Sequence, residues 1–190
     1  VFLLGSKETI WQLPKDAGNT TEGTTFIPTT ASTSRPAYEI VPSLMQAFEP
    51  LDKRLTSWIN GKIVRGQTYF YPYKYKQRVA TPLTEGYIVL RLAEQYLIRA
   101  EANLFLNNSD SAKADLNTVR QRAGIPDLDN SEIDLLYKAI IAENRKEFFA
   151  EWGHRWFLLK RTGIINEILS LEKPTWKPFA SLFPIPFSEI

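Results

Sequence analysis

The sequence predicts a mainly α-helical fold, in which tetratricopeptide-like helix hairpins are combined with short β-hairpins and long loops. Two observations lead to this fold class. Residues 87–190 carry apolar side chains at helical spacing, whereas residues 1–86 contain most of the threonine, glycine and proline. We therefore expect one incomplete domain, with a loop-rich, short-strand region over 1–86 and a helical region with an extended tail over 87–190. The chain has 190 residues, 44% of them hydrophobic, which is enough to bury a core.

Five helices are predicted in the second region, and most of them end at residues that break a helix. The breaks lie at Asn107-Asn108, Gly124, Gly153 and Gly163. The predicted helices span 87–106, 109–123, 131–152, 154–162 and 164–171. Because the first two are joined by a short connection, they are expected to form an antiparallel hairpin. The proline-rich segment 174–190 is expected to be extended.

The first region is predicted to contain short elements between loops. Residues 9–13 are rich in β-favouring side chains and are followed by Pro14, which indicates a short strand. A long loop over 15–36 and a short helix over 42–49 follow. The pair Asn60-Gly61 supplies the positive φ angles of a tight turn, so it is expected to join two strands of a hairpin.

Four tyrosines recur at every second position, at Tyr69, Tyr71, Tyr73 and Tyr75. On an extended chain they would face one way, and Pro72 restricts the segment to an edge strand or a loop. Two interpretations remain open. The rings pack an edge strand against the helices, or they form a surface on which sugar rings stack. In the second case nearby donors are available at Arg65, Gln67, Lys74 and Arg78.

The tryptophans divide into two predicted groups. Trp58 lies close to the expected turn and is therefore the preferred candidate for an exposed ring. The other group lies in apolar patterns and is expected to be buried in the core: Trp11, Trp152 and Trp156.

Composition excludes several kinds of site. The chain has no cysteine and one histidine, His154, so thiol catalysis, disulfides, cysteine-bound zinc and sites with several histidines are excluded. We predict no metal and no cofactor, and interpret His154 as a packed structural residue. The formal net charge of +2 argues against nucleic acid as a partner.

Glu143 and Glu147 lie four residues apart and share one helical face. A carboxylate pair of this kind could serve glycoside hydrolysis. Basic residues lie close by, however, and charge-paired carboxylates stay ionised, whereas a general acid needs a raised pKa. Structural ion pairs between packed helices are therefore the preferred interpretation.

Several segments resemble motifs of the SusD/RagB family of nutrient-binding outer-membrane lipoproteins of Bacteroidetes. Residues 88–102 (IVLRLAEQYLIRAEA) are similar to the family's RLAE-x-YL-x-x-AEA helix. Three further segments follow in the family's order: 116–124 (LNTVRQRAG), 152–163 (WGHRWFLLKRTG) and 182–190 (LFPIPFSEI). The resemblance covers roughly residues 8–190.

The resemblance implies binding without catalysis. Family members capture oligosaccharide, or peptide in RagB-like cases, and deliver it to a SusC-like TonB-dependent transporter. It also implies a surface-exposed location at the outer membrane, with a lipid anchor in an N-terminal segment absent from this chain. Ligands of the family are bound by aromatic residues on loops, and the candidates chosen here on chemical grounds are Trp58, Tyr38, Tyr69 and Tyr71.

Two other functions remain as alternatives. A helix-repeat scaffold for protein partners would bind no glycan, and a glycoside hydrolase would release reducing ends from polysaccharide.

Overall fold

The computed structural model describes residues 1–13, 20–79 and 82–183. The chain divides into two compact units, Val1–Glu147 and Phe148–Ile190. Both sides of the compositional change near residue 86 contribute to the first unit. Residues 14–19, mostly within the predicted loop, and 184–190, within the predicted tail, lie outside the described residues.

The described residues are mainly helical, which confirms the predicted fold class. The elements in chain order are β1 (Thr9–Leu13), α1 (Thr21–Phe26), α2 (Pro42–Met45), α3 (Lys53–Trp58), β2 (Ile59–Val64), β3 (Gln67–Pro72), β4 (Tyr87–Arg91), α4 (Leu92–Phe105), α5 (Ser109–Ala123), α6 (Ile133–Glu147), α7 (His154–Arg161) and α8 (Ile165–Glu172). None of the helices in the described ranges combines the length and the apolar character that crossing a bilayer requires.

Helices α4, α5 and α6 form the core of the first unit. The predicted hairpin of the first two long helices is present, and the segment between them is short. Helix α5 ends at Gly124, whose φ of 77° closes the last turn in the left-handed conformation. The buried side chains that these helices share are Leu97, Ala100, Leu104, Ala112, Leu116, Val119, Leu136 and Ile140.

The first predicted helix begins later than expected. Residues 87–91 form strand β4, which pairs antiparallel with β1, and only Leu92 begins α4. The β-branched residues Ile88 and Val89 favour this extended start. The predicted strand over 9–13 is confirmed as β1.

The predicted hairpin turn is wrong. Asn60-Gly61 lies inside β2, and the turn to β3 lies at Arg65-Gly66, where φ is 50° and 80°. Gly61 has a different role, since a Cβ there would lie 3.0 Å from Cγ2 of Thr68 on β3. Gly61 therefore allows β2 and β3 to pack closely at this position.

Residues 53–58 lie before this hairpin and form a helix. A turn at Asn60-Gly61 would have made them a strand. Asp52 accepts a hydrogen bond from the backbone N–H of Arg54 at 2.9 Å and so begins helix α3. Helix α2 is shorter than the predicted 42–49, and the predicted loop over 15–36 contains helix α1.

Two of the predicted core tryptophans are exposed. Trp11 is 51% exposed because β1 pairs with β4 alone, in a two-stranded sheet. Trp152 is 54% exposed because α6 ends at Glu147, before the predicted end at 152. The bend that follows has positive φ angles at Ala150, Trp152 and Gly153, so helical spacing does not apply there.

The second unit is built on α7 and α8, and a 3₁₀-helix over Pro178–Ser181 interrupts the tail that was expected to be extended. Its buried cluster consists of Leu159, Ile165 and Leu169. Trp156 is half-buried, and its ring centroid lies 6.2 Å from that of Trp176. The ring of His154 stacks on Phe148 at 4.3 Å, which confirms its interpretation as a packed residue.

Candidate functional site

The turn of the β2–β3 hairpin borders an open cleft of about 340 Å³ in the loop-rich part of the first unit. We call it the loop cleft, and its lining consists of Thr33, Arg35, Val64, Arg65, Gln67 and Tyr69. Four of these side chains are polar and exposed. Its volume lies within the range of small-ligand sites, and its lining is more polar than is usual for them.

Hydrogen bonds hold the loop that provides Thr33 and Arg35. The ammonium group of Lys62 on β2 donates to the carbonyls of Thr29 at 2.6 Å and Ala31 at 2.8 Å. The N–H of Ile40 donates to the carbonyl of Phe70 on β3 at 2.8 Å. The loop is therefore fastened to the hairpin at both ends of the stretch that lines the cleft.

Arg78 also forms hydrogen bonds with this loop. Its guanidinium donates to the carbonyl of Ile27 at 2.9 Å and also to that of Thr24. Arg78 was predicted as a sugar donor, and the structure uses it to position the loop. Lys74, predicted in the same role, is buried and donates to the Glu147 carbonyl at 2.6 Å.

Inside the loop cleft, Tyr69 positions two other side chains. The guanidinium carbon of Arg35 lies 4.5 Å above the ring of Tyr69, a cation–π arrangement. The hydroxyl of Tyr69 donates to Oε1 of Gln67 at 2.8 Å. Arg35 and Gln67 are thus held in place while their remaining polar atoms face the cleft.

The two arginines of the cleft lie in a part of the sequence without acids. Residues 23–38 and 53–84 contain no Asp or Glu. Neither Arg35 nor Arg65 forms an ion pair with any residue in the described ranges. Both guanidiniums therefore remain available to a ligand.

Of the four predicted ligand-binding residues, one is exposed. Tyr38 is 56% exposed, and its ring meets Phe26 edge-on at 5.6 Å. Trp58, Tyr69 and Tyr71 are buried, at 7%, 6% and 7% exposure. The prediction that Trp58 is an exposed ring near a turn is wrong, because it ends helix α3 and the turn lies at Arg65-Gly66.

The buried tyrosines favour the packing interpretation of the tyrosine pattern. Tyr75 is also buried, and its ring packs against Phe2 at 4.9 Å. Burial raises the pKa of Tyr71, which keeps its hydroxyl neutral. Only Tyr69 of this series lines the loop cleft, and its ring face is covered by Arg35.

Sequence reasoning named Arg65 and Gln67 as donors but missed Thr33 and Arg35. The available signal was the absence of acids around Arg35, in a loop too long to be a simple connection. The contact between this loop and the hairpin could not be read from the sequence, since it joins residues about 30 positions apart.

The carboxylate pair weighed for hydrolysis lies in a different environment. Glu143 and Glu147 belong to a buried charge cluster, which consists of Asp52, Arg54, Arg91, Glu143 and Glu147. Arg54 contacts Glu143 at 2.6 Å and Glu147 at 3.0 Å, and Arg91 also contacts Glu147. This confirms the interpretation as structural ion pairs.

The charge state of Glu147 follows from these contacts. Burial alone would raise its pKa, but the positive charges of Arg91, Arg122 and Arg54 hold that pKa well below the ordinary carboxyl value. The carboxyl group is therefore ionised, and it cannot act as a general acid. In the described ranges there is no group of His, Asp or Glu side chains that could hold a metal ion.

Solved structures resemble this chain over nearly its whole length. A SusD superfamily protein from Bacteroides vulgatus matches with a TM-score of 0.77 and 18% identity, covering 98% of this chain and 49% of that one. Surface glycan-binding protein A from Bacteroides thetaiotaomicron matches with a TM-score of 0.73 and 22% identity, covering 98% and 50%. The corresponding protein from Bacteroides uniformis gives a TM-score of 0.70 and 21% identity, covering 97% and 47%.

These identities establish the fold, and the chain spans about half the length of each of these proteins. No curated protein matches the sequence. The model of the SusD family matches residues 53–190, which is more than half of the chain, so this protein belongs to the SusD family.

Proposed function

We propose that this protein binds oligosaccharide at the surface of the outer membrane and delivers it to a SusC-like TonB-dependent transporter. The observation that carries the proposal is the loop cleft, an open and polar site on a loop fastened to the hairpin. Membership of the SusD family supports it, as does the likeness to two proteins named surface glycan-binding protein A.

The loop cleft suits a sugar in two respects. Sugar hydroxyls can form hydrogen bonds with the guanidinium groups of Arg35 and Arg65, the amide of Gln67 and the hydroxyl of Thr33. The hydrogen bonds from Lys62 and Arg78 reduce the ordering that binding would otherwise require. Tyr38, on the same loop, offers an exposed ring for stacking on an apolar sugar face.

Binding without hydrolysis is part of the proposal. Glycoside hydrolysis requires one carboxyl group that is protonated and can reach the glycosidic oxygen. Glu143 and Glu147 are buried among arginines and are 1% and 0% exposed as side chains, so a substrate cannot reach them.

The test is calorimetric titration of the protein with oligosaccharides selected on a glycan array. Tyr38→Ala should weaken binding about fivefold, because stacking buries some tens of Å2 at about 25 cal/mol per Å2. Phe105→Ala is the matched control, since Phe105 is an exposed aromatic residue at the end of α4, outside the loops. It should leave the affinity unchanged.

Two results would contradict the proposal. One is an array on which no glycan is bound. The other is the appearance of reducing ends when the protein is incubated with a glycan that it binds, because that would make it a hydrolase.

A further inference from the structure

We infer that the loop cleft binds the acidic group of a sugar, a carboxylate or a sulfate carried by the oligosaccharide. This inference rests on the proposed function and names the ligand class of the same site. It is carried by the charges that line the cleft, by the positions of its two arginines and by the backbone at one of them.

The side chains that line the cleft carry positive charge and no negative charge. Two of its six lining residues are arginines and none is acidic. The surrounding segment 53–84 contains seven Lys and Arg residues and no acid. An anionic group therefore enters a region of positive potential, which favours its association.

The two guanidiniums are not used by the fold as donors. Neither Arg35 nor Arg65 donates a hydrogen bond to another residue of the described part of the chain. The guanidinium carbon of Arg35 lies 4.5 Å from the centre of the Tyr69 ring, which restrains the group while its N–H groups donate to no other described residue. A planar guanidinium presents paired N–H groups that match two oxygens of a carboxylate or a sulfate.

Acceptors are scarce among the lining side chains. A neutral sugar hydroxyl donates one hydrogen bond and accepts others, so sites for neutral sugars need acceptors as well as donors. The lining side-chain oxygens are those of Thr33, Gln67 and Tyr69, and Oε1 of Gln67 already accepts from the hydroxyl of Tyr69. An anion, which only accepts, fits this excess of donors.

The backbone at Arg65 is a separate observation. Its φ of 50° lies in the left-handed region, which Asn or Gly occupies at lower cost. The side chain is exposed and forms no ion pair or hydrogen bond with a described residue, so no such contact in the fold accounts for an arginine at this position. Such strain is typically retained where the residue contacts a ligand.

The experiment compares three tetrasaccharides by calorimetric titration. Tetragalacturonic acid carries carboxylates, a κ-carrageenan tetrasaccharide carries sulfates, and galactotetraose is neutral. At least one acidic sugar should bind about tenfold or more tightly than the neutral sugar, and its affinity should fall as salt is raised. Which acidic sugar binds distinguishes carboxylate from sulfate.

Variants locate the binding in the cleft. Arg35→Gln and Arg65→Gln should each weaken binding of the acidic sugar about tenfold, because each removes a charge-assisted contact. Lys138→Gln is the matched control, since it removes the same charge from an exposed position on α6. Its affinity should equal that of the wild type.

Several outcomes would overturn the inference. Equal affinities for galactotetraose and the acidic sugars would leave a glycan-binding protein whose cleft does not select charge. Acidic sugars that bind equally well to the wild type and to both arginine variants would place the anion elsewhere. Binding of a tetraglutamate peptide through Arg35 and Arg65, with no sugar bound, would contradict the proposed function as well.

Discussion

Arginines lie in opposite environments in two regions of the first unit. In the buried charge cluster, Arg54 and Arg91 are 3% and 2% exposed, and both contact Glu147. In the loop cleft, Arg35 and Arg65 are exposed and contact no carboxylate in the described ranges. The carboxylates of the fold pair with the first two arginines, whereas the second two have no carboxylate partner among the described residues.

The difference depends on the acids that the fold brings to each region. Helix α6 places Glu143 and Glu147 four residues apart on one face, and Asp52 lies two residues before Arg54. These carboxylates satisfy the buried arginines, which would otherwise be costly to bury. The segments around the cleft contain no acid, so the exposed arginines there are paired with no carboxylate in the described ranges.

The comparison is tested most strongly by Glu147→Gln. Glu147 contacts Arg54 at 3.0 Å and also contacts Arg91 and Arg122. A neutral amide would remove the carboxylate that the buried Arg54 and Arg91 share, so the free energy of unfolding should fall by about 3–5 kcal/mol. Urea denaturation measures the change.

An exposed ion pair serves as the control for that variant. Asp110 contacts Lys113 at 3.6 Å, and its side chain is 94% exposed. Asp110→Asn should change the free energy of unfolding by less than about 0.5 kcal/mol. Equal losses from both substitutions would remove the distinction between buried and exposed charges.

The second prediction concerns Trp58, which lies beside the buried charge cluster. Its ring lies 4.5 Å from the ammonium nitrogen of Lys74 and meets Phe2 edge-on at 6.0 Å. Trp58→Ala should therefore destabilise the protein by about 3 kcal/mol through lost packing. The affinity of the folded fraction for oligosaccharide should not change.

Thermal melting and calorimetric titration of the same sample separate these effects. A melting temperature close to that of the wild type, together with weaker binding, would restore Trp58 as a ligand contact.

The third prediction is a loss of stability in acid. Hydrogen bonds from Arg120 lower the pKa of Glu49 to about 2, against the effect of partial burial and with help from Lys146. Because the folded-state pKa lies below the ordinary value of 4.5, the ionised carboxylate stabilises the fold fully above pH 4.5. This stabilisation is lost as the pH falls towards 2.

Urea denaturation at several pH values between 7 and 2.5 tests this linkage. The free energy of unfolding should fall less steeply in Glu49→Gln than in the wild type below pH 4.5. The difference should be modest, because the side chain of Glu49 is 34% exposed and solvent screens its ion pairs. Parallel curves for the two proteins would contradict the prediction.

Much of the fold could be predicted because apolar spacing within a helix is a local property. Leu97, Ala100 and Leu104 on α4 indicated a buried face, and Gly124 indicated the end of α5. The ion pairs of Glu143 could also be predicted, since basic residues surround it in the sequence.

The loop cleft could not be predicted in the same way, because it depends on contacts between distant residues. The burial of Trp58 could not be predicted for the same reason, because Trp58 packs against Phe2 and Lys74, which are distant from it in the sequence. Asn60-Gly61 is the strongest short turn signal in the segment, yet burial of Val64 and Tyr69 sets a register with the turn at Arg65-Gly66.

The smallest predicted effect is a gain in stability at the turn. Asn occupies the left-handed region more readily than Arg, so Arg65→Asn should stabilise the protein by about 0.5–1 kcal/mol. The same substitution removes one guanidinium from the loop cleft, so binding of the acidic tetrasaccharide should weaken about tenfold.

Gly66→Ala is the companion variant, because it changes the turn without touching the cleft. Nothing lies within 4 Å of a Cβ built at Gly66, so any effect comes from its φ of 80° alone. This variant should lose about 1 kcal/mol, which would establish that Gly66 is left-handed in solution. If Arg65→Asn raises the free energy of unfolding and weakens binding of the acidic tetrasaccharide, the arginine contributes to ligand binding and not to the fold. A loss of stability in Arg65→Asn would instead make the side chain part of the fold, like the arginines of the buried charge cluster.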